Sequence, residues 1–141
     1  MNTITREERE LVFNDLIKYY QFCKKDRRNH IFNAINFGRR DLSEQDKKAV
    51  KDAFKKAKTS YSYYRRLKTV ALLLKLNLIG FVTQEEQIQV LDDAIFYYEG
   101  RIKTKEFHIK MSKGKIDTDE KEYNAYLRKL EIVKNMRKEI Q

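Results

Sequence analysis

Residues 83–109, TQEEQIQVLDDAIFYYEGRIKTKEFHI, give the clearest indication of the fold. The segment opens on Thr83 with Glu86 three residues later, which is the capping-box pattern of a helix N-terminus. Apolar side chains then recur at alternating steps of three and four residues, with Lys105 in one slot. The series consists of Ile88, Leu91, Ile95, Tyr98, Ile102 and Ile109. This spacing predicts one long helix with an apolar seam.

A second helix with a similar seam is predicted for the last residues of the chain. It follows an expected loop over residues 112–116 around Gly114, and Asp117 or Thr118 is its expected N-cap. Two seams of similar length joined by a short loop predict an antiparallel helical hairpin. The second seam consists of Tyr123, Tyr126, Leu130, Val133 and Ile140, with Arg137 in one slot.

Helix signals also run through the first forty residues. Thr3 or Thr5 can cap a first helix, whose first turn holds acidic side chains that the helix dipole favours. A basic stretch follows, in which a short second helix is expected to end near Gly38. The apolar positions of the first helix are Val12, Phe13, Leu16, Tyr20 and Cys23.

The central segment has one prominent start signal, because Ser43 is followed three residues later by Asp46 in the capping-box pattern. Small and aromatic residues then keep helical spacing as far as Ile79. They predict either one long helix or two helices with a break near residues 59–60. Residues 70–79 are apolar almost all round, so we expect them to form the buried centre of the domain.

The composition favours an all-α domain of four to six helices that ends in the hairpin. The 141 residues include no Pro and four Gly, where about seven Pro and about ten Gly are usual, so few tight turns are available. We find no internal repeat of fixed period and no strand. A single domain is expected, with N-terminal helices and a basic segment in 1–40, the central helix or helix pair in 41–82 and the hairpin in 83–141.

Several classes of protein are excluded by the same composition. The four Gly are far from one another, so the chain has neither a P-loop nor a dinucleotide-binding loop. Cys23 is the only cysteine, which excludes a disulfide scaffold, a zinc finger and an iron–sulfur cluster. With no signal peptide recognised, a reducing cytoplasm is the expected location. The apolar stretch 70–82 is too short and too interrupted to span a bilayer, so no membrane partner is expected.

The net charge of +10, from 31 Lys and Arg against 21 Asp and Glu, is concentrated in three blocks. Residues 24–40 hold six cations against one Asp, residues 59–82 hold four against none, and residues 100–116 hold six against one Glu. Residues 83–99 are the opposite, with five acidic residues and no cation. Grouped cations on a helix can contact phosphates and release counterions, so the blocks predict binding to DNA or RNA.

The candidate nucleic-acid-binding residues are the cations of these blocks. They are Lys24, Lys25, Arg27, Arg28, Arg39, Arg40, Arg65, Arg66, Arg101, Lys103 and Lys105. Tyrosine pairs at 63–64 and 97–98 lie beside two of the blocks, where an exposed ring can stack on an unpaired base. Since Tyr64 and Tyr98 also fall on the apolar seams, packing in the core is the alternative role for these rings.

The acidic segment 83–99 limits how the chain can meet a nucleic acid. A helix-turn-helix centred on Gly80 would read DNA with the helix that starts at Thr83. Its acidic first turn would be repelled by phosphates, so we reject that motif. The segment must point away from a phosphate backbone, pair with a basic block of the same chain, or bind a basic partner.

No catalytic, metal or cofactor site is predicted, and we expect a protein that is not an enzyme. His30 and His108 are the only histidines, and neither has a second His or Cys one helical turn away. Cys23 lies on the apolar side of the first helix with no assignable base. Asp92 and Asp93 are adjacent and therefore face different directions on a helix.

Three functional hypotheses remain. The leading one is a small basic non-enzymatic accessory or regulatory protein of a phage or mobile element that binds the phosphate backbone of nucleic acid electrostatically. The alternative is a protein-binding inhibitor or adaptor, such as a phage anti-defence protein that occupies the acidic groove of a host nucleic-acid enzyme. A homodimer formed through the seams at 88–109 and 123–140 is compatible with either function.

Overall fold

Four long helices form two consecutive helical hairpins. In the computed structural model the first helix of each hairpin packs mainly on the second helix of the same hairpin. The helices are α1 (Arg6–Gly38), α2 (Glu44–Lys75), α3 (Gln84–Met111) and α4 (Asp117–Glu139), with a 3₁₀ turn at Ile79–Phe81. The all-α bundle predicted from the sequence, with its terminal antiparallel hairpin, is confirmed.

The structure describes residues 4–111 and 117–140, and these contain no strand. The loop predicted around Gly114 lies outside the described residues, as does Thr3, one of the two candidate caps of α1. The side chains of Asp117 and Thr118 are also outside them, so the predicted cap of α4 stays a prediction.

Helix α1 is one continuous helix of 33 residues, which corrects the expectation of two separate helices before residue 40. Thr5 is its N-cap, and the side chains of Thr5 and Glu8 complete a reciprocal capping box. No Pro or Gly interrupts the basic stretch, so nothing in the backbone chemistry ends the helix before Gly38. Of the two alternatives for the central segment, the structure has the single helix, since α2 runs unbroken through residues 59–60.

Helix α2 ends at Lys75, four residues before the predicted limit. Asn77 adopts the left-handed backbone conformation, with φ 59°. The amide of Leu78 then donates to the carbonyl of Leu73 at 2.8 Å, and the amide of Asn77 to that of Leu74 at 3.0 Å. This pattern is a Schellman C-cap, for which Asn is one of the few suitable side chains.

The core lies where the N-terminal half of α1, the C-terminal half of α2, the N-terminal half of α3 and the C-terminal half of α4 meet. The expectation that residues 70–79 are the buried centre is correct for only one face of α2, because Leu72 is exposed, as are Leu76 and Leu78 beyond the end of the helix. The buried side chains of this core are Val12, Phe13, Leu16, Tyr20, Leu67, Val70, Ala71, Leu74, Val90, Leu91, Ala94, Tyr98, Ile132 and Val133.

The two hairpins repeat one another, a relation that was not predicted from the sequence because the repeat has no fixed period. Residues 5–31 and 83–109 align without a gap, and 11 of the 27 positions are identical. Both segments contain the pattern Asp-x-Ile-x-Tyr-Tyr, as DLIKYY at 15–20 and DAIFYY at 93–98. The capping boxes and the chain's two histidines, at 30 and 108, also occupy equivalent positions.

Contacts between the hairpins repeat in the same way. The hydroxyl of Tyr20 donates to Asp93 at 2.6 Å, and the hydroxyl of the equivalent Tyr98 donates to the equivalent Asp15 at 2.8 Å. Each contact is therefore the counterpart of the other, with the two helices exchanged. The hairpins are related by an approximate twofold axis that passes between α1 and α3.

The second helices follow the same relation, with an offset of 62 residues instead of 78. Arg66 of α2 binds Glu86, in the capping box of α3, and the equivalent Arg128 of α4 binds Glu8, in the capping box of α1. Each capping-box carboxylate is thus paired with an arginine of the other hairpin. The difference between the offsets makes the first hairpin longer by sixteen residues, about 12 Å per helix at 1.5 Å per residue.

The distal half of the first hairpin, residues 24–58, extends beyond the shared core and is sixteen residues longer than the equivalent segment 102–120; we call it the arm. Ala57 is the one buried residue in it. The arm is a two-helix hairpin whose helices meet through small side chains, such as Ala34 and Ala53. Near its tip the two helices approach closely, since a Cβ atom added at Gly38 would lie 3.4 Å from Cγ1 of Val50.

A Tyr98→Phe variant tests the hydrogen bond between the hairpins. The free energy of unfolding should fall by about 1–2 kcal/mol, because a partly buried carboxylate on Asp15 loses one of its donors. Urea unfolding followed by circular dichroism measures the change. Tyr63→Phe, at an exposed ring, is the matched control and should stay within about 0.5 kcal/mol of the parent. Equal stabilities for the two variants would contradict the assignment.

Exchange of two equivalent core residues tests the twofold relation. Phe13 and Leu91 occupy equivalent positions and line one cavity of about 520 Å³, together with the equivalent pair Leu74 and Met136. Phe13→Leu alone should cost about 1–2 kcal/mol of unfolding free energy. The double variant Phe13→Leu with Leu91→Phe conserves volume and should lie within about 1.5 kcal/mol of the parent. A double variant less stable than Phe13→Leu alone would refute the relation.

Candidate nucleic-acid interface

The structure separates the eleven predicted cations into paired and unpaired groups. Six of them lie on the arm. Carboxylates of α3 and α4 pair with cations elsewhere in the fold and do not bind these six. These six are Lys24, Lys25, Arg27, Arg28, Arg39 and Arg40. Lys24 and Arg27 are half-buried, and the other four are exposed. The first basic block therefore lies wholly on the arm, with Arg39 and Arg40 just beyond the end of α1.

The second helix of the arm adds cations that belong to none of the three basic blocks. Residues 41–58 carry six lysines, but four acidic residues in the same segment reduce its net charge to +2. The antiparallel hairpin brings this segment alongside residues 24–40, so the arm as a whole holds twelve Lys and Arg against five Asp and Glu. The added lysines are Lys47, Lys48, Lys51, Lys55, Lys56 and Lys58, all exposed.

The second basic block divides between a free and a bound arginine. Arg65 is exposed on α2, whereas Arg66 holds Glu86 through two guanidinium nitrogens, with Nη2 at 3.0 Å from Oε1. Hydrogen bonding from Arg66 lowers the pKa of Glu86 to about 2. Arg66 is therefore part of the fold and is removed from the candidate interface.

The third block is also engaged within the chain. The guanidinium of Arg101 lies 5.2 Å from the ring centre of Tyr97, and Lys105 pairs with Asp119 at 3.0 Å and with Glu122. These carboxylates raise the pKa of Lys105. Lys103 is the one exposed and unpaired member among the three predicted residues here. Lys113 and Lys115, which also belong to this block, lie outside the described residues.

The acidic segment 83–99 pairs within the chain, which was one of the alternatives left open by the sequence. Glu86 binds Arg66, Asp92 binds Arg137 at 3.0 Å, and Asp93 accepts from Tyr20. Burial raises the pKa of Asp93 against the lowering effect of its hydrogen bonds. Glu86 and Asp93 thus contact side chains of the first hairpin, whereas Asp92 pairs within the second hairpin.

Most of the tyrosines near the basic blocks are committed to the core. Tyr20 and Tyr98 are fully buried, and burial raises the pKa of both hydroxyls, so they remain donors. Tyr63 is the exposed exception. The rings form an unbroken series in which neighbouring centres lie 5.3–6.4 Å apart. The series runs Tyr63, Tyr64, Tyr20, Tyr19, Tyr97, Tyr98 and Tyr126.

Exposed aromatic side chains on and beside the arm are phenylalanines, which the sequence did not single out. Phe22, Phe32 and Phe37 are 70%, 55% and 45% exposed, and the guanidinium of Arg40 lies 5.1 Å from the ring centre of Phe37. They are separated by ten and five residues, so no seam of three- and four-residue steps marks them in the sequence.

Other site types find no support in the described ranges. Residues 4–111 and 117–140 contain no group of three His, Cys, Asp or Glu able to hold a metal ion. Cys23 is half-buried, and burial raises the pKa of its thiol, which disfavours the nucleophilic thiolate. None of the described helices is both long enough and apolar enough to cross a membrane.

Comparisons of this chain with protein-family models, with curated proteins and with solved structures gave no match. The interface is therefore argued from the geometry and charge of the chain itself.

A Glu86→Gln variant tests the internal pairing of Arg66. The pKa of Glu86 is about 2 in the folded chain and near 4.5 in the unfolded chain. The stabilisation that the ionised carboxylate contributes is therefore complete above pH 4.5 and is lost as the pH falls toward 2. The variant should lose about 0.5–1 kcal/mol of unfolding free energy at pH 7, since the pair is partly exposed to solvent. The difference from the parent should vanish toward pH 2.

Urea titrations at a series of pH values between 7 and 2 measure this prediction. Glu99→Gln, at an exposed glutamate on the same helix, is the matched control. Its stability should follow that of the parent at every pH. A Glu86→Gln curve that also runs parallel to the parent would contradict the pairing.

Proposed function

We propose that this chain is a non-enzymatic nucleic-acid-associated accessory or regulatory protein that binds the phosphate backbone through the arm. The observation that carries the proposal is the charge of the arm, whose twelve Lys and Arg against five Asp and Glu give a net +7. Most of the net +10 of the chain thus lies on about a quarter of its residues. The other two predicted blocks are partly neutralised by ion pairs within the fold.

The shape of the arm suits contact with a backbone. Residues 24–38 of α1 span about 21 Å at 1.5 Å per residue. Over that length a duplex presents about twelve phosphates, at one charge per 1.7 Å of axis. The cations lie on both helices of the arm, so they can follow a backbone without inserting a helix into a groove. Contacts of this kind give binding that depends on salt and little on sequence.

The arrangement also keeps acidic side chains away from the bound polymer. The five carboxylates of residues 83–99 belong to α3, and three of them are held by Tyr20, Arg66 and Arg137 elsewhere in the fold. A phosphate backbone on the arm therefore meets the cationic part of the chain first. This separation favours the arm over α3 as the binding element.

A protein-binding inhibitor or adaptor is the second candidate, favoured by the exposed phenylalanines. Phe22, Phe32 and Phe37 can enter apolar pockets of a protein partner, while the surrounding cations match an acidic groove. Pull-down from a nuclease-treated lysate separates the two functions. Retention of one protein partner that is lost on changing these phenylalanines to Ser favours the second candidate.

Fluorescence anisotropy with duplex and single-stranded DNA or RNA tests the leading proposal. The parent should bind more tightly than micromolar at low salt, and its affinity should fall steeply between about 50 and about 200 mM salt. The triple variant Lys24→Gln, Lys25→Gln, Arg28→Gln should flatten the plot of log affinity against log salt by about two to three units, at about 0.9 per lost phosphate contact.

A triple variant on α4 provides the charge-matched control. Lys121→Gln, Lys134→Gln and Lys138→Gln remove the same charge from exposed positions outside the arm. This control should keep a salt dependence close to that of the parent. Micromolar or weaker binding at low salt, affinity indifferent to salt, or equal losses in both triple variants would overturn the proposal.

A further inference from the structure

The internal repeat provides a comparison within one molecule, because each aligned position of one hairpin has a counterpart in the other. Lys105 in the second hairpin is 17% exposed and is neutralised by Asp119 at 3.0 Å and by Glu122. Both carboxylates come from α4, the helix that packs on α3. A half-buried cation at this position of the hairpin is thus supplied with two acidic partners.

Arg27 is the counterpart of Lys105 in the first hairpin, at the same offset of 78 residues as the other α1 and α3 equivalents. Its expected partners on α2 are the residues 62 positions before Asp119 and Glu122. Those residues are Ala57 and Ser60, neither of which carries a charge. The first hairpin therefore keeps the cation and lacks both carboxylates.

The surroundings of Arg27 in the structure agree with this difference. Its Nε is buried and has no hydrogen-bond partner in the described residues. The nearest carboxylate is that of the adjacent Asp26, 4.0 Å away and 45% exposed. A buried guanidinium nitrogen without an acceptor is unfavourable, since a lost hydrogen bond to a charged group costs more than one between neutral groups.

Arg27 lines an open groove between α1 and α2, and the groove has room for an anion. The wall on the α2 side is formed by short side chains, among them Ala53 and Ala57, in a cavity of about 540 Å³. Two further basic side chains, His30 and Lys56, line the same groove. Asp46 is the one acidic residue in its lining. The cationic end of the groove thus combines a guanidinium side chain that is 38% exposed with space for an external acceptor.

We infer that the groove at Arg27 is an anion site that holds one phosphodiester group of a bound nucleic acid, in the place where the second hairpin holds its own carboxylates. The inference rests on the proposed function and assigns one contact of that interface. The terminal nitrogens of the guanidinium, beyond the buried Nε, donate to a phosphate oxygen, and Lys56 adds charge from the facing helix. Hydrogen bonds between a guanidinium and a phosphate are among the stronger ones available to a protein, which suits a site that fixes the position of the backbone.

Restoring the missing carboxylate tests the site directly in the full chain. Ser60→Glu introduces the side chain that the second hairpin has at the equivalent Glu122, and it should pair with Arg27 and exclude phosphate. Affinity for duplex DNA at low salt should fall about three- to tenfold. Thr59→Glu adds the same charge to the adjacent, exposed position and is the matched control. Its loss should be clearly smaller.

Arg27→Gln is a second variant that does not depend on the new pair forming. It removes the donor and should lower the affinity for DNA by a similar factor. NMR of the arginine Nε–Hε groups gives a readout independent of affinity. The Arg27 signal should shift when inorganic pyrophosphate is added to the parent, and it should not shift in Ser60→Glu.

The outcomes distinguish the site from the proposed function. Salt-dependent DNA binding with equal losses in Ser60→Glu and Thr59→Glu, and no shift of the Arg27 signal, would overturn the site and leave the proposed function standing. A saturable pyrophosphate shift in a protein that binds neither DNA nor RNA would support an anion site and overturn its assignment to nucleic acid. Losses specific to Ser60→Glu and Arg27→Gln, together with the shift, support both.

Discussion

Two reciprocal hydrogen bonds set how the hairpins fit together. Tyr20 of α1 donates to Asp93 of α3, and Tyr98 of α3 donates to Asp15 of α1, while Lys129 of α4 pairs with Asp15 at 2.9 Å. The apolar packing around these contacts is non-directional and would tolerate several alignments of α1 on α3. A partly buried carboxylate is stable only where its donors are in place, so these bonds select one alignment. That alignment, in turn, brings Arg66 and Arg128 to the opposite capping boxes.

The same constraint explains why tyrosine is so frequent in this core. A phenylalanine would fill the space at positions 20 and 98 but would leave Asp93 and Asp15 with one donor fewer. Tyrosine combines a large apolar ring with a hydroxyl that reaches the carboxylate. Because burial raises the pKa of Tyr20 and Tyr98, neither hydroxyl ionises against its carboxylate under ordinary conditions. Rings of neighbouring tyrosines then pack edge to face or tilted around the buried pairs.

Local signals in the sequence were sufficient to predict the helices, but not which side chains of different helices pair with one another. Thr5 as one of two N-cap candidates, the capping box at Thr83 and the three-four spacing on α3 and α4 correctly predict helix starts and the terminal hairpin. The end of α2 was misplaced because Asn77 can end a helix through its left-handed conformation, whereas the apolar pattern continues beyond it. The repeat was not predicted from a fixed period, because its two halves have different offsets, 78 and 62, and no single period relates them. Net charge by segment cannot distinguish a cation bound to a carboxylate on another helix, such as Arg66, from a free one, such as Arg65.

The two hairpins show how the fold can leave a surface available for binding. In the second hairpin, Lys105 forms ion pairs with Asp119 and Glu122, so its charge contributes to the structure. The first hairpin places Ala57 and Ser60 at those positions and extends the helices by sixteen residues that add lysines to the surface. Neither change touches the core contacts between α1 and α3, since these lie in residues 12–20 and 90–98. The core can therefore tolerate a cationic arm at little cost, because the self-repulsion of the arm acts far from the hydrogen bonds that hold the hairpins together.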